Sequence, residues 1–326
     1  MKKGKLSESV LKRSIFKRIR NKRPEVIVSA AQGVDVSAFK AGESEAIVTS
    51  TQTFPDFNSE GLELSIVSAL NNLATAGADA IGISIAALLP IDTEEAAIKD
   101  MADTVEDICR KYNIQALGGH TQITEAVNKQ VVTITSFGIV HEDKIITSKG
   151  AKPDQDIVVT KWIGLAGTEI LAKERAEIIA EKYKQELINA AISMEGYISV
   201  LPEAAIAKEA GAAAMHDLSQ GGIYNGLWEF AESSRLGLTV DLRKIPIKQE
   251  TVEICEIFDI NPYRLLSTGS LLIACDDGEG MVNALKNAGI EAVVIGRFTD
   301  SNDRIIIKDD ETTYLDSPKQ EELLIK

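Results

Sequence analysis

The chain has 326 residues, of which 44% are hydrophobic and 26% are charged, and its formal net charge is −14. This length predicts two α/β domains of roughly 150 residues each rather than one core. The sequence has neither an apolar run of about 18 residues nor an apolar N-terminal signal region, so we expect no membrane span and a cytoplasmic location. The three cysteines are isolated from one another, which is typical of reduced thiols rather than disulfides or a zinc site.

The charge is distributed unevenly along the chain. Residues 1–23 contain ten lysines and arginines against one acid, Glu8, so the remaining residues together carry −23. A body this acidic argues against nucleic acid as the main partner, because phosphate contacts need a broad basic surface. A cap at Ser7 and helically spaced apolar residues favour an amphipathic helix that docks on the protein's own acidic surface. The alternative is an arm that binds an anionic partner.

Apolar segments alternate with turn-forming residues in the first half of the chain. Thr93 is the predicted N-cap of a helix, and Gly118-Gly119 is a predicted turn between two strands. The spacing of apolar residues predicts strands at 26–31, 45–51, 80–89, 114–117 and 130–140 and helices at 59–77 and 93–112.

A polar segment at 147–156 marks the predicted domain boundary. It contains Gly150 and Pro153, and no apolar residue in it is larger than alanine. We therefore predict an N-terminal domain at 1–148 and a C-terminal domain at 149–326. In the second half, strands alternate imperfectly with helices, one of which is predicted to run from about 173 to 192. The fold class is therefore mixed α/β or α+β rather than a doubly wound sheet.

Small polar residues gather at strand and helix ends of the first domain. Buried amides are costly unless hydrogen-bonded, so an asparagine pair inside an apolar helix suggests a polar site or a cap. Taken alone, a Gly-Gly pair is more typical of a hairpin or bulge, and His120 is more typical of a structural histidine than of a ligand. The segments are Gly33-Val34-Asp35, Thr49-Ser50-Thr51-Gln52, Asn71-Asn72 and Gly118-Gly119-His120-Thr121.

In this order, the segments resemble the motifs of the superfamily of aminoimidazole-ribonucleotide (AIR) synthetase and the hydrogenase-maturation carbamoyl dehydratases. Gly33-Val34-Asp35 resembles its opening Gly-Asp-Asp, and Thr49-Ser50-Thr51 resembles its Thr-Thr-Asp. Asn71-Asn72-Leu-Ala is similar to its Asn-Asp-Leu-Ala helix, and Gly118-Gly119-His120-Thr121 to its Gly-Gly-Asp-Thr. In the second domain, Asp217-Leu-Ser-Gln-Gly221-Gly222 resembles its Asp-Leu-Ser-x-Gly-Gly loop.

The resemblance implies a two-domain AIR-synthetase-like fold with an N-terminal sheet domain and a C-terminal α/β sandwich domain. It also implies a homodimer paired through the N-terminal sheets, with ATP at that interface and Mg²⁺ on clustered aspartates. The implied nucleotide-binding residues are Asp35, Thr51, Asn72, Gly118, Gly119, His120 and Thr121. The implied loops for a small-molecule acceptor or its phosphate contain Gly164, Gly167, Thr168, Asp217, Gly221 and Gly222.

The acidic positions of this superfamily are largely replaced here. Asp35 is the one aspartate retained from the metal-binding set, and Val34, Thr51, Asn72 and His120 stand at the other positions. Since Mg²⁺ prefers anionic oxygen donors, we expect weak or absent Mg–ATP hydrolysis.

Two functions remain open. The retained glycine loops and Asp217 favour an enzyme that uses ATP to activate or phosphorylate an unidentified small-molecule acceptor. The neutral substitutions in the acidic cluster favour a non-catalytic relative that binds a nucleotide or metabolite. Carbamoyl dehydratases carry their substrate on a C-terminal cysteine, and no cysteine follows Cys275, so we expect that activity to be absent.

Overall fold

The computed structural model divides the chain into two compact units, with the transition at Ile145–Ile146. The smaller unit contains β1 and the residues up to Ile145, and the larger unit contains the rest together with Gly33 and Val34. The limits 1–148 and 149–326 stay a prediction. The predicted helix within residues 1–23 and the metal candidate Asp35 lie outside the described residues, which are 24–28, 31, 33–34, 36–55, 59–309 and 311–317.

The smaller unit is one mixed sheet with helices. Its described elements are β1 (Val26–Val28), β2 (Ser37–Lys40), β3 (Glu45–Pro55), α1 (Ser59–Thr75), β4 (Asp79–Leu89), α2 (Glu95–Lys111), β5 (Gln115–Ile123) and β6 (Val131–His141). The strand order among these residues is β1-β2-β3-β6-β4-β5, in which β4 and β5 are parallel and every other neighbouring pair is antiparallel.

The core of the smaller unit lies between α1 and one face of this sheet. Leu62, Ile66, Leu70 and Leu73 recur at helical spacing and are buried where α1 packs on β3, β4 and β6. On β6 every second residue is buried, as expected for a strand with one covered face. Burial of each such leucine or isoleucine contributes about 1.5–3 kcal/mol, so this face holds α1 in place.

The prediction of a turn at Gly118-Gly119 is wrong, because both glycines lie inside β5. The strand continues to Ile123 and pairs in parallel with β4, with a register shift that leaves Leu117 unpaired. The φ angles of Gly118 and Gly119 are 138° and 153°. A Cβ on Gly119 would overlap the Ile85 carbonyl, so glycine permits the close approach of the two strands.

Two helix predictions are also wrong in detail. The helix predicted from Thr93 begins at Glu95 with Glu94 as its N-cap, and no side chain caps it. The predicted helix at 173–192 is three separate helices, interrupted at Arg175 and at residues 181–184. Helical periodicity extends across both interruptions, which is why the pattern did not reveal them.

The larger unit contains a second sheet with helices packed against it. Its described elements are β7 (Asp156–Thr160), α3 (Leu165–Glu174), α4 (Ala176–Ala180), α5 (Gln185–Ile192), α6 (Leu201–Glu209), β8 (Ala214–Asp217), α7 (Gly222–Ser234), β9 (Gly237–Asp241), α8 (Gln249–Phe258), β10 (Leu271–Cys275), α9 (Gly278–Asn287), β11 (Ala292–Thr299), β12 (Arg304–Lys308) and β13 (Glu311–Tyr314). Short 3₁₀ turns lie at Glu142–Lys144, Ser148–Gly150, Ser193–Tyr197, Leu242–Lys244 and Pro262–Arg264.

The second sheet has the order β13-β12-β9-β11-β7-β10-β8 among the described residues. Its core contains Phe230 and Phe298, which are fully buried with ring centroids 5.1 Å apart in an edge-to-face arrangement. The two units confirm the mixed α/β class expected from the sequence. None of the described helices has the length and apolarity needed to cross a membrane.

The two glycines of β5 provide a matched test of the strand packing. Both have positive φ, so alanine at either position adds backbone strain of about 1–3 kcal/mol. At Gly118 the added Cβ meets open space, whereas at Gly119 it overlaps the Ile85 backbone. Gly119→Ala should therefore lower the free energy of unfolding clearly more than Gly118→Ala in urea denaturation. Equal losses would contradict the close approach of β4 and β5.

Candidate functional site

In the smaller unit, Asn72 of the asparagine pair on α1 makes a buried structural contact. The side-chain amide of Asn72 donates a hydrogen bond of 2.8 Å to Ser50 Oγ, and both residues are buried. Ser136 Oγ donates to the Ala69 carbonyl at 2.9 Å in the same layer. These bonds join α1 to β3 and β6 through polar groups that would otherwise be buried without partners.

Thr51 lies on the opposite face of the sheet from Asn72. Successive strand residues point to opposite faces, and Ser50 points toward α1. Thr51 is exposed, and its Oγ1 lies 3.0 Å from Thr135 Oγ1 on the neighbouring strand. Thr53 and Thr133 form a second such pair at 2.9 Å. The structure therefore does not bring Thr51 and Asn72 together on one face of the sheet.

The segment from Gly118 to Thr121 lies on β5, an edge strand of the described sheet. All nine residues of β5 are exposed, and His120 Nε2 lies 3.2 Å from Gln122 Oε1. An edge strand presents backbone N–H and C=O groups that are free to pair with another chain or a ligand. The four predicted nucleotide-binding residues of this segment are thus accessible side by side.

The described residues at the superfamily's Mg²⁺ positions in the smaller unit do not fit such a site. Thr51 and Asn72 supply neutral oxygens on opposite faces of the sheet. Among the described residues, no group of three histidine, cysteine, aspartate or glutamate side chains could hold a metal ion. Mg²⁺ usually takes one or two carboxylates in near-octahedral geometry, and neither Thr51 nor Asn72 provides one.

In the larger unit, four loops are joined by hydrogen bonds into what we call the loop junction. The segment 264–270, just before β10, touches the other three. Ser267 N–H donates to the Ser219 carbonyl at 3.2 Å, and Ser270 Oγ donates to the Trp162 carbonyl at 2.6 Å. A Cβ on Gly269 would lie only 2.5 Å from the Tyr197 carbonyl oxygen, so the two backbones are in close contact. The loop junction comprises residues 161–168, 197–199, 217–222 and 264–270.

The predicted phosphate loop at Gly164–Thr168 is occupied by contacts within the protein. Gly164 N–H donates to Ser267 Oγ at 2.8 Å, and Gly167 N–H donates to the Leu266 carbonyl at 2.9 Å. Thr168 Oγ1 donates to the Gly164 carbonyl at 2.7 Å and is buried. The first turn of α3 is therefore capped by the loop junction.

The predicted loop at Gly221-Gly222 forms the start of α7. Both glycines have left-handed φ angles, 79° and 63°. A Cβ on Gly222 would lie 2.6 Å from the Tyr263 carbonyl, so this position requires glycine for space as well as for conformation. Asp217 is buried at the end of β8. Glycine thus lets the helix begin directly against the backbone before β10.

The glycine of the opening motif, Gly33, also packs on α7. Gly33 has a φ of 66°, and its carbonyl accepts a hydrogen bond of 2.6 Å from Ser148 Oγ. A Cβ on Gly33 would lie 2.5 Å from the Glu229 carbonyl of α7. His216, one residue before Asp217, has Nε2 3.4 Å from Glu229 Oε2 and stacks on Phe230. Gly33 thus belongs to the larger unit by its packing.

A buried ion pair in the loop junction escaped the sequence analysis. Lys161 Nζ lies 2.5 Å from Glu203 Oε1 and also donates to the carbonyls of Tyr197 and Ser199 at 2.8 and 2.7 Å. Burial lowers the pKa of Lys161, while the Glu203 carboxylate raises it. A single lysine after an apolar strand carries no distinctive pattern, so only the tertiary structure reveals this role.

An aromatic cluster at the rim of the loop junction was also missed. The rings of Trp162 and Tyr197 lie 5.5 Å apart in an edge-to-face arrangement. Lys248 Nζ lies 3.7 Å from the centroid of the Trp162 ring, within the range of a cation–π interaction. These residues come from three distant parts of the sequence, and no local motif links them.

Family models agree with this architecture. The AIR synthase related protein, N-terminal domain, matches residues 34–140, and the C-terminal domain of the same family matches residues 152–308. The chain belongs to the AIR synthase-related family. Its fold is thus the two-domain fold that the resemblance implied.

Relatives in this family include hydrogenase-maturation proteins. The chain is 23% identical to the carbamoyl dehydratase HypE of Rhodobacter capsulatus over 72% of this chain and 68% of that protein. It is 24% identical to the selenide, water dikinase of Porphyromonas gingivalis, covering 85% and 86%. A crystal structure of the hydrogenase maturation protein HypE in complex with ATP superposes with a TM-score of 0.71 at 16% identity, covering 98% of this chain and 97% of that one.

The buried ion pair of this family member can be tested by a double-mutant cycle. Lys161→Met leaves the Glu203 carboxylate buried without its cation, which should cost about 3–5 kcal/mol of unfolding free energy. Lys161→Met/Glu203→Met leaves no buried charge and should recover part of this loss. Lys99→Met is the control, because the exposed pair of Lys99 and Glu95 should contribute under about 1 kcal/mol. Additive losses from Lys161→Met and Glu203→Met in urea denaturation would contradict a coupled pair.

Proposed function

We propose that this chain binds ATP at the β5 edge of the smaller unit and uses it to activate or phosphorylate a small-molecule acceptor held by the loop junction. The observation that carries this proposal is the start of α7, where Gly221 and Gly222 place a helix N-terminus against the backbone of residues 263–265. Helix N-termini attract anionic groups. The ATP complex of the structurally similar HypE supports the nucleotide part of the proposal.

The smaller unit contributes an accessible strand to the nucleotide site. Gly118 lies in open space, so a ligand can approach its backbone without meeting a side chain. His120 and Thr121 follow on the same exposed strand and offer an imidazole and a hydroxyl group. In this proposal, neutral hydrogen-bonding groups replace part of the metal's role in binding the phosphates.

A second candidate is a non-catalytic relative that binds a nucleotide or metabolite. The position of Asn72 favours it, because its amide is already committed to Ser50 in the core. Thr51 is likewise paired with Thr135. Neither residue provides the anionic oxygens that would hold Mg²⁺, the cation that neutralises the phosphate charge during phosphoryl transfer. This candidate keeps a site for a nucleotide or metabolite and loses the Mg–ATP reaction.

We also propose a homodimer through the open face and edge of the first sheet. Apolar side chains that a monomer would leave in water lie here, among them Ile81 at 44% and Leu117 at 51% exposure. Among the described strands β5 lies at the edge of the sheet, and the backbone groups of its outer side could pair with a second copy. An interface of this kind would bury both features at once.

Calorimetry with purified protein distinguishes the two candidates. For the enzyme we expect ATP and a non-hydrolysable ATP analogue to bind more tightly with Mg²⁺ than with EDTA, whereas the non-catalytic relative should bind them equally in both conditions. Phosphate release at normal enzyme rates with Mg²⁺ would overturn our interpretation of the metal positions. Absence of ATP binding in both conditions would remove ATP from the proposed function.

The placement of residues 51 and 72 is tested by the variant Thr51→Asp/Asn72→Asp. Without metal, an aspartate at residue 72 loses the amide donor to Ser50 and buries a carboxylate, so the free energy of unfolding should fall by about 1–3 kcal/mol. Because the two positions lie on opposite faces of the sheet, one ion cannot reach both carboxylates, and Mg²⁺ should stabilise the double variant no more than the wild type. Selective stabilisation of the double variant by Mg²⁺ would contradict this placement.

The proposed dimer is tested by charging its apolar surface. Ile81→Lys should convert a dimer into a monomer, because burial of an unpaired ammonium at the interface is costly. Ile178→Lys is the matched control, since Ile178 is also 44% exposed but lies on α4 of the larger unit. The measurement is the molar mass by light scattering. A wild-type monomer, or the same change in both variants, would refute this interface.

A further inference from the structure

The side chain of Arg264 is buried, and the described residues leave one of its nitrogens without a hydrogen bond. It lies on the 3₁₀ turn Pro262–Arg264, and the residue is 8% exposed. Nη1 has no hydrogen-bond partner in the part of the chain that the structure describes. Nη2 lies 3.5 Å from Asp316 Oδ2, well beyond the 2.7–2.9 Å or so of a strong charge-assisted hydrogen bond. A buried guanidinium is thus only partly satisfied.

This guanidinium lies beside the ring of a tyrosine near the start of α7. Its Cζ is 5.2 Å from the ring centroid of Tyr224, the third residue of the helix. Tyr263 stacks on Tyr224 with centroids 5.4 Å apart and an interplanar angle of 10°. The backbone of Arg264 is also close to the helix, because a Cβ on Gly222 would lie 2.9 Å from the Arg264 carbonyl carbon. The stack of two tyrosines and the glycine contact together fix the arginine at this helix end.

Two sources of positive potential therefore lie near the start of α7. The N–H groups of Ile223 and Tyr224 fall in the first helical turn, where no carbonyl four residues earlier belongs to the helix. The 13-residue α7 adds the positive end of its dipole to the charge of Arg264. Burial raises the pKa of the Tyr224 hydroxyl, so this ring stays neutral and does not repel an anion.

We propose that Arg264 and the first turn of α7 form a binding site for an oxyanion, the phosphate or carboxylate group of a small molecule. Planar guanidinium groups bind such groups through two parallel hydrogen bonds, and Nη1 and Nη2 supply that pair. Asp316, which is exposed near the C-terminal side of β13, is the internal competitor for Nη2. Equating this ligand with the acceptor rests on the proposed function, whereas anion binding does not.

The experiment uses the full chain and inorganic phosphate as the probe. Phosphate is titrated at constant ionic strength, and binding is followed by the backbone amide NMR signals of Ile223 and Tyr224. Arg264→Gln should weaken phosphate binding about tenfold or more. Arg243→Gln is the control, because Arg243 is an exposed arginine paired with Asp241, and it should leave the affinity unchanged. Unchanged affinity in a folded Arg264→Gln variant would overturn the site.

A second variant keeps the test informative if Arg264→Gln does not fold. Asp316→Asn removes the competing carboxylate from an exposed position, so phosphate should bind several-fold more tightly. An unchanged affinity in this variant would overturn the assignment of Asp316 as the competitor. A parallel titration with acetate separates the two ligand classes, since a carboxylate site prefers acetate and a phosphate site prefers phosphate. Absence of both signals in the wild type would refute the proposal.

Phosphate binding at Arg264 can be tested independently of ATP binding at the smaller unit. Phosphate binding that requires Arg264 in a protein that fails to bind ATP would refute the proposed function and leave the oxyanion site standing. ATP binding at the smaller unit together with phosphate binding that is indifferent to Arg264 would refute this site alone.

Discussion

The segment before β10 holds the loop junction together, and Ser267 is its central residue. This side chain is fully buried, its Oγ accepts from Gly164 N–H and donates to the Leu265 carbonyl, and its own N–H donates to Ser219. A buried polar group left without a partner costs about 1–3 kcal/mol, so each loop depends on the others for its conformation. The start of α3 and the start of α7 are positioned through this one residue.

The two glycine loops of the larger unit consequently have different chemistry. At α3 the N–H groups of Gly164 and Gly167 are bound by Ser267 and Leu266, which makes that loop a structural support. At α7 the glycines bring the helix against residues 263–265, and a buried arginine lies beside its first turn. Similar glycine content thus supports hydrogen-bonded packing at one helix and brings the other helix beside a buried arginine.

In the smaller unit, the alternation of strand residues decides what the substituted metal positions can do. Ser50 points into the core and binds Asn72, while Thr51 points to the open face and pairs with Thr135. Neutral side chains at these positions are satisfied by the protein itself and need no cation. These contacts hold α1 on the sheet without a cation at either position.

The sequence by itself determined the family, the mixed α/β class and most of the elements, because ordered motifs and apolar periodicity are local properties. It placed Gly118-Gly119 in a turn, since a glycine pair contains no information about the partner strand that crowds Gly119. Only the tertiary structure brought Lys161 to Glu203 and Arg264 to Tyr224, residues that lie 42 and 40 positions apart in the chain. Contacts of this kind depend on which loops meet at the end of a sheet, and no pattern within a short segment encodes that meeting.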